Sequence, residues 1–194
     1  DTLGLTPAFA RQFDNSRLTL AVPLYRISVD GADEDVYAYG LEGRIRHQLT
    51  ERVAIGAHAD GVNYHQQDAP DENVWTWTGG GFLSIAVPVH EKVAFSVATL
   101  LDYVDIEDQD DLWLGGVGAN LGTLLAENLA VDLFGIWYAD LDSDDNWDDN
   151  FVETGVQAAT VVQDVWDVRL GVKTTLGYRD YEAYEAYVAV HRTF

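Results

Sequence analysis

The sequence predicts an all-β chain, a closed antiparallel up-and-down transmembrane β-barrel of about ten strands, with eight the smaller count its pattern allows. Three observations predict it. Segments of similar length alternate apolar and polar residues with period two. The connections between them are, in turn, tight turns and acidic loops. The last segment, Tyr184-Glu185-Ala186-Tyr187-Val188-Ala189-Val190-His191-Arg192-Thr193-Phe194, alternates and stops on an aromatic residue. A long stretch without Asp, Glu, Lys or Arg, residues 73–89, contains Gly79, Gly80, Gly81 and Pro88 and makes a poor spanning helix. Strands that cross lipid must close on themselves, because every backbone N–H and C=O needs a partner inside the protein.

Residues 1–16 alternate poorly and hold Pro7. They are expected as a periplasmic tail, a short plug in the barrel mouth or an added strand, with the barrel itself occupying residues 17–194. Residues 36–49 set Tyr37, Tyr39, Leu41 and Ile45 against Glu42, Arg44 and Arg46. Residues 53–64 set Val53, Ile55 and Ala57 against His58 and Asp60, and residues 93–104 set Phe95, Val97, Leu101 and Tyr103 against Ser96 and Asp102. Residues 129–140 oppose Leu129, Val131, Leu133 and Trp137 to Asp132 and Tyr138. Residues 166–178 oppose Trp166, Val168, Leu170 and Val172 to Asp167, Arg169 and Lys173. Residues 17–29, 74–89, 112–125 and 151–162 follow the pattern less cleanly, and the terminal segment makes ten, an even count that returns both ends to one side.

Short turns fall at residues 49–52, 89–92, 126–128 and 163–165, as expected on the periplasmic side. Acidic loops fall at residues 30–35, 67–72, 105–111, 140–150 and 179–182. Tyr37, Tyr39, Tyr64, Trp75, Trp77, Tyr103, Trp113, Trp137 and Tyr178 lie beside this acidic rim as an interfacial belt would, with Trp166 and Phe194 serving the opposite girdle.

By these features residues 17–194 resemble the small outer-membrane β-barrels of Gram-negative bacteria typified by the OmpA transmembrane domain and OmpX. The resemblance is architectural, resting on strand period, turn alternation, aromatic belts and the terminal Phe194. It implies the bacterial outer membrane, with a signal peptide removed before Asp1, and Phe194 as the residue that barrel-assembly machinery reads. Arg192 departs from the apolar residue usual two places before that Phe, although an arginine near the interface can snorkel. Ten strands exceed the eight of those two proteins, so neither one's function transfers.

A soluble barrel or sandwich would also alternate, but with its apolar face inward. Here the apolar face is continuous on successive strands, while the other mixes small residues with scattered charges, which suits the interior of a small membrane barrel. The chain has no Cys, which excludes thiolate metal sites and disulfides, and its net charge of -22, from 11 Lys+Arg against 33 Asp+Glu, excludes nucleic acid as a partner. No cofactor is expected. The expected partners are outer-membrane lipid and lipopolysaccharide, the assembly machinery through the C-terminal strand, divalent cations, and a second copy or another protein.

The inward charges are the first candidate site: Glu42, Arg44, Arg46, His58, Asp60, Asp102, Asp132, Glu153, Asp167, Arg169, Lys173, Glu185 and His191 share the predicted lumen. Unpaired ions there would be costly, so opposite signs must meet. They read either as a salt-bridge network filling the barrel or as a narrow polar pathway. The second candidate is the loop carrying Asp140, Asp142, Asp144, Asp145, Asp148 and Asp149. Its opening resembles half an EF-hand, yet Asp145 replaces the turn glycine and Phe151 stands where the bidentate Glu belongs, leaving at most weak binding of a divalent cation. Catalysis is the third: none of Ser16, Ser28, Ser84, Ser96 and Ser143 has a His two positions away, and His65 near Asp68 and Asp71 is the one acid/base grouping at the rim. The expectation is a non-enzymatic structural or surface-interaction barrel, with a narrow passive pore as the alternative and a lipid-modifying enzyme or protease behind it.

Overall fold

The computed structural model describes residues 2–28, 35–66, 73–107, 109–142, 150–162, 165–178 and 181–193. Twelve strands form one sheet: β1 (Thr2–Phe13), β2 (Ser16–Ala21), β3 (Leu24–Ile27), β4 (Val36–Gln48), β5 (Val53–Gln66), β6 (Val74–His90), β7 (Val93–Ile106), β8 (Leu112–Ala126), β9 (Leu129–Asp140), β10 (Asn150–Val162), β11 (Trp166–Tyr178) and β12 (Tyr181–Thr193). Each pairs antiparallel with its sequence neighbour from β4 onward, and β12 closes the sheet on β1.

β2 and β3 are two halves of one stave. Ala21 lies opposite Ala8 and Glu42, and Leu24 lies opposite Leu5 and Tyr39, so residues 22 and 23 keep the register on both sides. The break falls where Pro23 has no N–H to give; Pro23 still accepts from Gly40 N (3.1 Å) and Val22 N still donates to Pro7 O (2.9 Å). Twelve strands with two sharing a stave make eleven staves. Eleven staves are joined by ten antiparallel steps, an even number of reversals that leaves the first and last staves running the same way, and β1 does pair with β12 in parallel, Thr2 opposite Glu185 and Ala10 opposite Thr193.

Residues 2–13 are therefore wall, the added strand among the three alternatives and neither tail nor plug, so the sheet includes Thr2–Phe13 ahead of residue 17. The odd stave also replaces the even count expected from the alternation. The period is present in β1: Leu3, Leu5, Phe9 and Phe13 point outward and are exposed, while Gly4, Thr6, Ala8 and Ala10 share the inner face. Pro7 and Arg11 interrupt it. Arg11 lies at the strand's inner end, over the Phe13 ring at 4.9 Å.

Burial is inverted relative to a water-soluble protein. The buried apolar residues are small, Ala10, Ala21, Ala38, Ala54, Val62 and Ala189, whereas Leu3, Leu41, Leu125 and Leu170 are each 60 % exposed or more. A continuous exterior of this kind would be an aggregation surface in water and is the lipid face of a membrane barrel. Tyr37, Tyr39, Trp77, Trp113 and Trp137 lie on it near the outer rim, and Trp75 stacks on Trp77 at 5.4 Å. Tyr64 does not join this belt, because it pairs with inward Ala38 and shares its face. At the other rim Arg192 sits over the Trp166 ring at 5.2 Å, placing its charge beside the interfacial aromatic.

Tight turns close the inner end. Asp14 adopts φ 43, a conformation Asp tolerates in a two-residue hairpin turn. Thr50 Oγ1 accepts from Arg52 N (3.2 Å) and Val53 N (3.1 Å). At the outer end, acidic side chains satisfy strand ends. Glu107 accepts from Trp75 N (3.1 Å), Asp142 accepts from Trp113 N (3.2 Å), and Asp35 accepts from Arg26 Nε (2.7 Å) and from Ser28 Oγ.

Candidate functional site: a layered lumen

Hydrogen-bonded rows of the barrel climb obliquely because the staves are staggered. One row passes from Thr19 through Arg44, His58, Gly80, Asp102 and Leu114 to Asp140, from the inner half of β2 to the outer end of β9. Every candidate lumen residue lies on the inner face by this register. Glu42, Arg44 and Arg46 come from β4, His58 and Asp60 from β5, Asp102 from β7, Asp132 from β9, Glu153 from β10, Asp167, Arg169 and Lys173 from β11, and Glu185 and His191 from β12.

The central layer is filled. Lys173 Nζ reaches Glu153 Oε2 at 2.8 Å and Glu185 Oε2 at 3.2 Å, tying β10, β11 and β12 together. Their side chains are 26 %, 19 % and 19 % exposed, so the triad is largely removed from water. Across the lumen His58 Nε2 faces Asp102 Oδ1 at 3.4 Å. They sit on β5 and β7, one strand apart, and meet because the residue between them on β6 is Gly80; a Cβ there would collide with the Asp102 carboxylate and Leu101 O. The same large-over-small rule packs Tyr25 on Gly4, Phe82 on Gly56, Phe134 on Gly155 and Tyr187 on Gly171. Tyr187 donates to Gln157 Oε1 (3.1 Å), and Gln157 Nε2 donates to Asp132 Oδ2 (3.2 Å).

Below this layer lies a chamber of about 550 Å³ of mixed character, lined by Arg17, Arg44, Arg46, Arg169, Ser96 and Asn120 together with Phe82, Phe134 and Ile136 among others. Arg169 is held by Asp167 (Nη2 to Oδ2 2.9 Å, Nε to Oδ1 3.2 Å), and Arg44 stands loosely beside Glu42 at 3.5 Å. Arg46 lies directly opposite Arg17 of β2, and among the described residues neither has an ion pair. Arg17 was missed from the sequence because residues 17–29 alternate poorly across Pro23; its pairing with Arg46 is the signal that exposes it.

Above the central layer, the outer mouth holds a second chamber of about 380 Å³, lined by Val104, Ile106, Leu112, Leu114, Phe151 and Thr175, with Gln109 and Asp140 at its edge. These apolar side chains share the charged residues' face, so the lumen is not uniformly polar.

Of the loop acids, Asp140 and Asp142 are placed: Asp140 accepts from Asp142 N (2.9 Å), and Asp142 caps Trp113 N. Asp144, Asp145, Asp148 and Asp149 lie outside the described residues, as do Asp68, Asp71 and the assembly-signal residue Phe194. His65 Nδ1 pairs with Asn73 Oδ1 at 2.7 Å. Among the described residues no group of three or more His, Asp or Glu side chains could hold a metal ion.

No protein-family model matches this chain, and no curated protein matches it by sequence. Among solved structures it is similar to the translocator domain of autotransporter NalP from Neisseria meningitidis, with TM-score 0.57 and 14 % identity over 89 % of this chain and 73 % of that one. It is similar to LpxR from Salmonella typhimurium, with TM-score 0.57 and 12 % identity over 91 % and 83 %. The fold is that of an outer-membrane β-barrel. A third likeness, to the outer membrane channel DcaP of Acinetobacter baumannii, has 12 % identity over 92 % of this chain and 58 % of that one, and its TM-score of 0.38 is too low to bear on the fold. At these identities the fold is shared and its details are not; in this barrel the layered lumen is built from its own glycine and charge pattern.

Proposed function

We propose that this protein is a non-enzymatic, structural outer-membrane barrel of a Gram-negative bacterium, whose lumen is closed at mid-height and whose outward acidic rim meets its surroundings. The observation that carries this reading is the Lys173, Glu153 and Glu185 triad, which with the aromatic-on-glycine packing fills the layer between the two chambers. A side chain held by two carboxylates in a largely dry layer resists displacement by a solute. At the rim, the acids that cap strand ends keep the outer edge of the wall hydrogen-bonded, which suits a durable scaffold facing lipopolysaccharide, with divalent cations bridging to its phosphates.

A narrow pore is the second reading, favoured by one feature: chambers of about 550 and 380 Å³ stand on either side of a single filled layer, so opening that layer alone would join them. Conductance of the refolded protein in a planar bilayer separates the two, with Lys173→Glu run in parallel. A silent wild-type bilayer, with the folded barrel verified by heat-modifiable gel migration, supports the closed wall. Reproducible current steps whose ion preference shifts in Lys173→Glu overturn it in favour of the pore.

A further inference from the structure

We propose that the inner chamber is an anion site in which Arg17 and Arg46 together hold a phosphate group. The chain as a whole is strongly acidic, yet two arginines, half-buried Arg17 and exposed Arg46, occupy directly opposed positions on neighbouring strands, and both line the same chamber. Like charges at directly opposed positions on one face of a sheet destabilise it. Elsewhere in the lumen the cations are matched within 4 Å: Lys173 by Glu153 and Glu185, Arg169 by Asp167, Arg44 by Glu42. The carboxylates lining or bordering the chamber are already engaged. Asp167 is gripped by Arg169 through both oxygens and sends only its longer-range field to Arg17, Asp132 accepts from Gln157, and Glu42 stands beside Arg44. Among the described residues the Arg17 and Arg46 pair therefore lacks a counter-charge at contact distance, and the chamber supplies the space for one.

Arginine forks match the oxygens of phosphate two at a time, and two forks on adjacent strands can grip one tetrahedral anion from two sides. The chamber, about 550 Å³, falls in the range of small-ligand pockets and is large enough for a phosphorylated small molecule, not just the bare ion. Its remaining wall mixes the paired ions Glu42, Arg44 and Arg169 with neutral polar groups such as Ser96 and Gln157 and apolar side chains such as Phe82 and Phe134. Asn120 lines it with a buried amide oxygen that has no partner, and amide rotation would turn its N–H groups toward an anion. The occupant's shared chemistry is a phosphate mono- or diester. It could arrive as a soluble solute through the inner mouth or as a phospholipid headgroup. The site lies beneath the central layer and requires neither an open nor a closed lumen.

The test is thermal unfolding of the refolded protein in a neutral detergent, followed by tryptophan fluorescence, as sodium phosphate replaces sodium chloride at constant ionic strength. Phosphate should raise the midpoint in a saturable way, and isothermal titration should show the same affinity. Arg17→Gln and Arg46→Gln should each weaken that affinity by about tenfold or more, since each removes a charged hydrogen-bonding fork. Without phosphate each variant should unfold no earlier than wild type, because a repulsion has been removed. Arg46→Lys, which keeps the charge and loses the fork, should bind with intermediate affinity. In a second arm, phosphatidylglycerol is added to neutral-lipid bicelles. A response to inorganic phosphate marks a soluble anion, and a response to the lipid alone marks a headgroup. The proposal is overturned if neither probe shifts the midpoint, if both variants respond as wild type does, or if the variants are less stable than wild type without phosphate, which would mean that the two arginines are already satisfied by the protein.

Discussion

Replacing Lys173 by Met tests whether the central layer is as dry and as tightly coupled as its geometry implies. The ammonium lies 2.8 and 3.2 Å from two carboxylates. At an effective dielectric of about 20 each contact is worth roughly 5–6 kcal/mol of attraction, most of which is offset by the desolvation of three charged groups. The net value of the intact triad is therefore small, but removing its cation is another matter. Glu153 and Glu185 would be left in a layer where they are only 19 % exposed, without a counter-charge. Breaking a buried pair in this way costs about 3–5 kcal/mol. Lys173→Met should lose that amount in urea unfolding from lipid vesicles. The triple variant Lys173→Met, Glu153→Gln, Glu185→Gln should recover to within about 1 kcal/mol of wild type, because the unpaired charges go with the cation. Raising the salt from 0.1 to 1 M should change the wild-type value little, since largely buried pairs are poorly screened. A single variant within about 1 kcal/mol of wild type, or a triple variant no better than the single, would refute the dry, coupled layer.

Two further outcomes follow from specific contacts. Gly80→Ala places a methyl group into the Asp102 carboxylate and Leu101 O, and it should destabilise the barrel by about 1–3 kcal/mol while the matching change at Gly79, which meets nothing within 4 Å, should not. Equal urea midpoints for the two variants would show that Gly80 is not there to let His58 reach Asp102. At the outer rim the hydroxyl of Ser28, and then the guanidinium of Arg26, hold the Asp35 carboxyl below its ordinary range. A depressed folded-state pKa contributes stability that is present above the unfolded value of about 3.9 and is lost as pH falls through the folded value. The carboxyl resonance of Asp35 should therefore titrate below pH ~3.9, moving up in Ser28→Ala and in Arg26→Gln, and an unshifted wild-type titration would contradict the contact.

The sequence by itself determined the class of fold and, in the cleanly alternating strands, which residues share a face. Period two is a property of a single extended strand, so Glu42, Arg44 and Arg46 could be assigned to one face and Tyr39, Leu41 and Ile45 to the other without knowing any neighbour. The alternating short and acidic connections likewise ordered the strands as hairpins. What the alternation could not carry was stave count and partnership. β1 escaped because Pro7 and Arg11 break its local pattern, and only its pairing with both β12 and β2 shows that it is wall. The meeting of His58 with Asp102 across Gly80, of Lys173 with Glu153 and Glu185, and of Arg17 with Arg46 depends on register and stagger. Closing the whole sheet sets these, and no single strand encodes them. The apolar outer chamber came from the same source: Val104, Leu112, Leu114 and Phe151 read as ordinary strand residues until the register carried them to the charged side of the wall.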